Sequence, residues 1–183
     1  MSPPSIDALV KVCSYYRDAE MRGSNLLYRM LRFVDDPEAQ MNLSEHLADE
    51  TRHAWLWTKR IRDLGRTPVP VEDGYQVRIG RKAGFPRNVI DLFALTVVVE
   101  QRALRRYQEH LRRPDVDEET RDVLNQVSKD EGWHLDWMRQ KGRELADKAG
   151  EPERFDASIK RFREIDREVM EELNELESSF DAS

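Results

Sequence analysis

The sequence Asp-Glu-x-x-His occurs twice in this chain, as Asp49-Glu50-Thr51-Arg52-His53 and as Asp130-Glu131-Gly132-Trp133-His134. A further glutamate stands about thirty residues before each copy, at Glu20 and Glu100. On a helix, residues three apart share a face, so Glu50 with His53, and Glu131 with His134, can each grip one cation. The turn Val34-Asp35-Asp36-Pro37 lies about fifteen residues from both Glu20 and Glu50, or roughly 23 Å of helix at 1.5 Å per residue. An antiparallel hairpin therefore sets these two glutamates level. The same arithmetic holds for Glu100 and Glu131 around Arg113-Pro114-Asp115. Two such hairpins packed face to face bring four glutamates and two histidines to one height, a six-ligand site for two metal ions.

A single Glu-x-x-His pair arises readily by chance among nineteen glutamates and four histidines. More telling is that each glutamate interrupts an apolar helical stripe, where a solvated acid has no reason to be. The first stripe reads Leu9, Cys13, Tyr16, Glu20, Gly23, Leu27, Leu31, Val34, and the second Leu43, His46 or Leu47, Glu50, His53 or Ala54, Trp57, Ile61, Leu64. The third reads Ile90, Phe93, Val97, Glu100, Leu104, Tyr107, Leu111, and the fourth Leu124, Val127, Glu131, His134, Met138, Leu145. Four carboxylates buried together must each be protonated or paired, and cations are the simplest remedy. The alternative is a metal-free bundle whose buried polar residues satisfy one another.

The periodicity predicts an all-α chain. A short leader, Ser2-Pro3-Pro4-Ser5, precedes a helix over about Ile6–Val34. Asp36 is placed to cap the second helix with Pro37 in its first turn, and Gly65 stops it after Leu64. From Gly65 to Pro86 no period persists, and Pro68, Pro70, Gly74, Gly80 and Gly84 punctuate a long crossover that returns the chain to start a third helix at about Asn88. That helix ends near Arg112. Asp115-Val116-Asp117-Glu118 then offers a capping box for a fourth, reaching about Ala149 before Gly150. The expected organisation is an antiparallel four-helix bundle over residues 1–150. A C-terminal extension over 151–183, with apolar residues at Phe155, Ile159, Phe162, Ile165, Val169, Leu173, Leu176 and Phe180, forms a fifth amphipathic helix that packs on the bundle or on a partner.

Composition excludes several classes. The longest apolar run, around Leu92 to Val99, is too short to span a bilayer, and no leader precedes a cleavage site, so the expected address is cytoplasmic and away from membranes. The single cysteine, Cys13, rules out an intramolecular disulfide and a four-thiolate metal centre, and it lies on a core stripe. The net charge of −6, with basic residues dispersed among acids, gives no support for nucleic-acid binding. Arg66, Arg78, Arg81, Lys82 and Arg87 gather in the crossover, as a solvated loop or a surface for an acidic partner.

The donor set is hard and oxygen-rich with one imidazole per ion, which suits iron or manganese better than zinc or magnesium. Two iron ions are the first expectation, with manganese or a mixed pair as alternatives. Glu50 and Glu131 would bridge, Glu20 and Glu100 would be terminal, and His53 and His134 would cap the two ions. Such a pair, about 3.5 to 4 Å apart, passes two electrons to O2 or peroxide. Asp49 and Asp130 are turned about 100° from the bridging glutamates, so that each can accept the ring N–H of the opposite histidine, Asp49 from His134 and Asp130 from His53. His46, one turn before Glu50, is a third-site ligand, a pocket wall or a partnered core residue. Tyr16 and Tyr107 point towards the same cavity, to relay electrons or donate a hydrogen bond to bound oxygen, unless they and Trp57, Trp133 and Trp137 are packing alone. Gly23 opens space for a small substrate or allows close helix contact.

The order Glu20, Glu50 with His53, Glu100, Glu131 with His134 resembles the ferritin-like superfamily of di-iron carboxylate proteins, including bacterioferritins, rubrerythrins, ribonucleotide reductase small subunits and bacterial multicomponent monooxygenases. The resemblance covers about Ile6 to Ala149 and implies a four-helix bundle holding iron. Bacterioferritins place a haem-ligating methionine where this chain has Thr51, so no haem of that kind is expected. Rubrerythrins usually add a carboxylate where this chain has Ala103, and a cysteine cluster that Cys13 alone cannot supply. Storage ferritins end in a short helix lining a cage, whereas the segment from Pro152 is nearly as long as the bundle helices, which favours a smaller homo-oligomer, a dimer before a cage. Asp-Glu-Thr-Arg-His resembles the Asp-Glu-x-Arg-His of the oxygenases. The resemblance thus implies an oxidase or oxygenase on a small organic substrate, fed by an external electron donor. A ferroxidase that stores or detoxifies iron is the other function that remains open.

Overall fold

The computed structural model describes the backbone of residues 5–181 and the side chains of residues 5–174. The described chain is all-α: α1 Ile6–Met30, α2 Pro37–Asp63, α3 Tyr75–Ala83, α4 Val89–Leu111, α5 Glu118–Lys148 and α6 Arg154–Asp181, with one 3-10 turn at Leu31–Phe33. The expected leader at Ser2-Pro3-Pro4 lies outside the described residues, as do the side chains of Leu176 and Phe180. Among the described residues, no helix is long and apolar enough to cross a membrane.

The helix ends follow local chemistry. Ser5 caps α1 by accepting from the Ala8 amide, and Asp36 caps α2 by accepting from Ala39 at 2.9 Å, with Pro37 behind it. Asp117 accepts from the Thr120 amide at 2.8 Å at the start of α5. Gly65 and Gly150 adopt φ 72°, the left-handed conformation that glycine enters freely, just past α2 and α5.

The crossover holds the one element that periodicity does not predict. Despite its prolines and glycines, residues 75–83 form α3, between Gly74 and a Gly84 at φ 65°. Tyr75 and Ile79, four apart, are buried, and α3 packs along α6. The Tyr75 hydroxyl donates to Asp166 at 2.8 Å, Lys82 pairs with Glu168 and Glu172, and Arg78 reaches Glu172. Tertiary packing outweighs weak local propensity here. It also gives two crossover cations, Arg78 and Lys82, partners within the chain.

The chain forms two compact units. One comprises residues 1–72 and 100–137, the other residues 73–99 and 138–183. In the second, Arg154 and Ser158 of α6 hold Asp91 of α4, at 3.2 and 2.7 Å, and Gly142 of α5 lies so close to the Phe155 ring that a β-carbon there would overlap it. Phe155, Phe162 and Val169 are buried, as is the run Leu92–Val99. The first unit holds α1, α2, the C-terminal part of α4 and the N-terminal part of α5. Its apolar core is built on Leu9, Val10, Cys13, Tyr16, Trp57, Ile61, Tyr107, Leu124 and Val127. Burial pushes the Cys13 thiol up to about 12, so it is an inert packing group.

Antiparallel pairing of α1 and α2 sets the level of the polar residues. Asp7 meets Arg66, Arg17 donates to Thr58 at 2.8 Å, and Glu20 stands opposite His53. Arg60 of α2 reaches across to Thr120 and Asp117, at 2.9 and 2.7 Å, and ties this hairpin to the start of α5.

Candidate metal centre

The first unit brings together, at one height, all six residues of the repeated motif. Glu20, Glu50, His53, Glu100, Glu131 and His134 are each at most 4 % exposed, and His46, fully buried, joins them. Their donor atoms fall into two groups of four, each with all atoms within 4.8 Å of one another. One is Glu20, Glu50, His53 and Glu131; the other is His46, Glu50, Glu100 and His134. Glu50 belongs to both.

The aspartates fix the histidines. His53 Nε2 lies 3.1 Å from Asp130 Oδ2, and His134 Nε2 lies 3.2 Å from Asp49 Oδ2, so each ring meets the aspartate of the opposite motif. With Nε2 donating there, the neutral form of each ring carries its lone pair on Nδ1, which faces the carboxylates. His53 Nδ1 is 3.5 Å from Glu20 and 3.7 Å from Glu131. His134 Nδ1 is 3.5 Å from Glu131 and 3.7 Å from Glu50. These gaps are too wide for hydrogen bonds, and both Nδ1 atoms are buried without one. Two donors about 2.1 Å from one cation stand roughly 3.0–3.4 Å apart, so a small inward shift suffices to close the groups on an ion.

Arg52, not singled out from the sequence, ties the two aspartates together. Its Nη2 donates to Asp49 Oδ1 at 2.8 Å and to Asp130 Oδ2 at 2.7 Å. Burial works against ionisation of both aspartates, but Arg52 and the histidine each one holds bring them below the ordinary carboxylate range. The Asp49–Arg52 spacing of three was visible as a helical ion pair. Its reach to Asp130, 78 residues away, was not.

The tyrosines separate. Tyr107 donates its hydroxyl to Glu20 Oε1 and so belongs to the cluster. Tyr16 turns away from the carboxylates. Its hydroxyl shares a 3.1 Å hydrogen bond with His110 Nδ1, and its ring packs edge-on against Tyr107 at 4.8 Å and near Trp57 at 5.0 Å. Trp133 and Trp137 flank His46, whose ring stacks on that of His134 at 3.6 Å. Gly23 lies directly against Glu50, where any β-carbon would collide with Oε2. The room that this glycine leaves is therefore filled by the Glu50 carboxylate rather than kept for a substrate.

The electrostatics show the strain of the arrangement without cations. Burial, together with the charges of Glu100 and Glu20, raises Glu50 well above the usual carboxylate range, and burial with Glu100 and Glu50 does the same to Glu131. Glu100 goes the other way, down to about 2: burial is outweighed by the His46 ring, a hydrogen bond from Glu131 and the His134 ring. Burial and the neighbouring His46 lower His134 to about 4. Burial also opposes charge on His53, but Glu20 and Asp130 prevail and raise it. The metal-free cluster thus holds protons on Glu50 and Glu131, the positions that cations would take. The chain matches no family model, no curated protein and no solved structure.

Proposed function

We propose that this chain is a ferritin-like, four-helix-bundle oxidoreductase with a di-iron carboxylate centre, which activates O2 or peroxide to act on a small organic substrate. The observation that carries the reading is the set of buried donor atoms without hydrogen bonds at one height: His53 Nδ1, His134 Nδ1, Glu50 Oε1 and Glu131 Oε2. Leaving several such groups unsatisfied together is costly, and a pair of cations would satisfy them all at once.

Glu20, Glu50, His53 and Glu131 would hold one ion, and Glu50, Glu100, Glu131 and His134 the other. Held there in the ferrous state, the pair would supply two electrons for the reduction of O2 or peroxide. The protein's own part is to exclude water, through the apolar shell of Trp57, Tyr107 and Val127, and to fix imidazole orientation through Asp49, Asp130 and Arg52. Glu50 and Glu131 surrender their protons as cations enter, and Tyr107 offers a phenol proton at Glu20. Iron is preferred over manganese, and an external donor would return the electrons.

The test is the iron retained per chain after aerobic Fe(II) loading and gel filtration, compared with Glu50→Ala. Near two ions per chain, lost in the variant, is the expected result. Tens of ions per chain would instead make iron the substrate of a ferroxidase. No uptake would leave a metal-free helical protein.

A further inference from the structure

We infer that His46 is itself a metal ligand, so that the two cation positions are unequal: one takes two imidazoles and two carboxylates, the other one imidazole and three carboxylates. This rests on the di-metal reading above, and adds to it a residue outside the repeated motif.

His46 is fully buried, and neither ring nitrogen makes a hydrogen bond. A histidine kept for packing normally has a partner for its N–H, as His53 and His134 do in their aspartates. His46 lacks such an anchor, yet its placement is tightly defined. It sits one turn before Glu50 on α2, stacked on His134, with Trp133 and Trp137 edge-on to its ring at 6.5 and 5.9 Å. Its Nε2 is 3.5 Å from Glu100 Oε1 and 3.7 Å from Glu50 Oε1, the same spacing that His53 and His134 keep from their carboxylates. Those two oxygens, His46 and His134 form one of the two donor groups; the other contains neither histidine.

The donor sets predict different preferences. Imidazole favours the later first-row divalent ions, whereas a carboxylate-rich position suits manganese. The His46 position should therefore fill first with Co(II), and the Glu20–His53 position second.

The experiment is an anaerobic titration of the metal-free protein with Co(II), followed by calorimetry and by visible absorption, on the native chain, His46→Gln, His46→Ala and Glu50→Ala. The native chain is expected to take two ions in two distinguishable steps. In both His46 variants the tighter step should weaken about tenfold or more and lose its share of the ligand-field absorption, while the other step survives. Two unchanged steps in the variants would overturn the role of His46 and leave the di-metal centre standing. No Co(II) uptake by the native chain would overturn both. Should the variants fail to fold by circular dichroism, proton NMR of the native chain with one equivalent of Co(II) decides: shifted ring resonances from two histidines support the assignment, and from one they refute it.

Discussion

Gly23 and Glu50 face each other across the α1–α2 hairpin so closely that the glycine's missing side chain is the space the carboxylate occupies. Gly23→Ala should therefore separate two properties. Alanine favours a helix over glycine by about 1 kcal/mol, and Glu50 is flexible enough to swing aside, so the metal-free protein should melt no lower than the native one. Metal affinity should fall by about tenfold or more, because the shared carboxylate is displaced. Thermal melts paired with a Co(II) titration check this. A variant that binds as tightly as the native chain would show that Glu50 can serve from another rotamer.

Arg52 is a single cation serving two aspartates, each of which orients a histidine. Asp130→Ala, Asp49→Ala and Arg52→Ala should each lower metal affinity about tenfold or more. Arg52→Lys, a compact charge without the guanidinium fork, should recover only part of the loss. Because the three residues act as one network, the Arg52→Ala/Asp130→Ala double variant should lose less than the sum of its singles, as measured by calorimetry.

Stability against pH has a definite sign in the metal-free protein. Above pH 6.5, the ordinary value for histidine, His110 and His134 are neutral both folded and unfolded, since burial lowers them in the fold. Asp49, Asp91, Asp117 and Asp130 are lowered below 3.8, so their stabilisation is complete there and is lost only on acidification. Glu50, Glu131 and His53 are raised and keep protons in the fold that the unfolded chain has released. The melting temperature should therefore fall between pH 6.5 and 8.5. Glu50→Gln should flatten the trend. With metal present the slope should reverse, because cations need these carboxylates ionised.

The two tyrosines give a paired prediction. Tyr107→Phe removes the donor to Glu20 and should cost about 1 kcal/mol of stability in denaturant melts. Tyr16→Phe removes a hydrogen bond to His110 and should leave metal affinity unchanged. A loss of metal affinity in Tyr16→Phe would show that the Tyr16–Tyr107 ring contact positions Glu20.

Much of the site was legible because helical spacing alone brings Glu50 and His53 to one face, and hairpin arithmetic sets Glu20 beside them. The capping of α2 was equally local, written in Asp36, Pro37 and Gly65. Helix α3 was not readable, since the glycines and prolines that surround it argue against a helix and its support comes from α6, about ninety residues downstream. The double role of Arg52 escaped for a related reason, and so did the choice among the three roles open to His46. Arg52 gains its second aspartate from another helix, and His46 is defined by stacking on a histidine 88 positions away, which no periodicity encodes.

The first unit is assembled from two separate stretches, residues 1–72 and 100–137, with a stretch of the second unit threaded between them. On a ribosome, the α1–α2 hairpin emerges early with Glu20, Glu50 and His53, yet it must wait for Glu131 and His134 before its acids have their companions. Until then it is a nascent hairpin with an incomplete set of acids and imidazoles, and if the centre binds metal as proposed, timing as well as affinity would govern which cation it meets first.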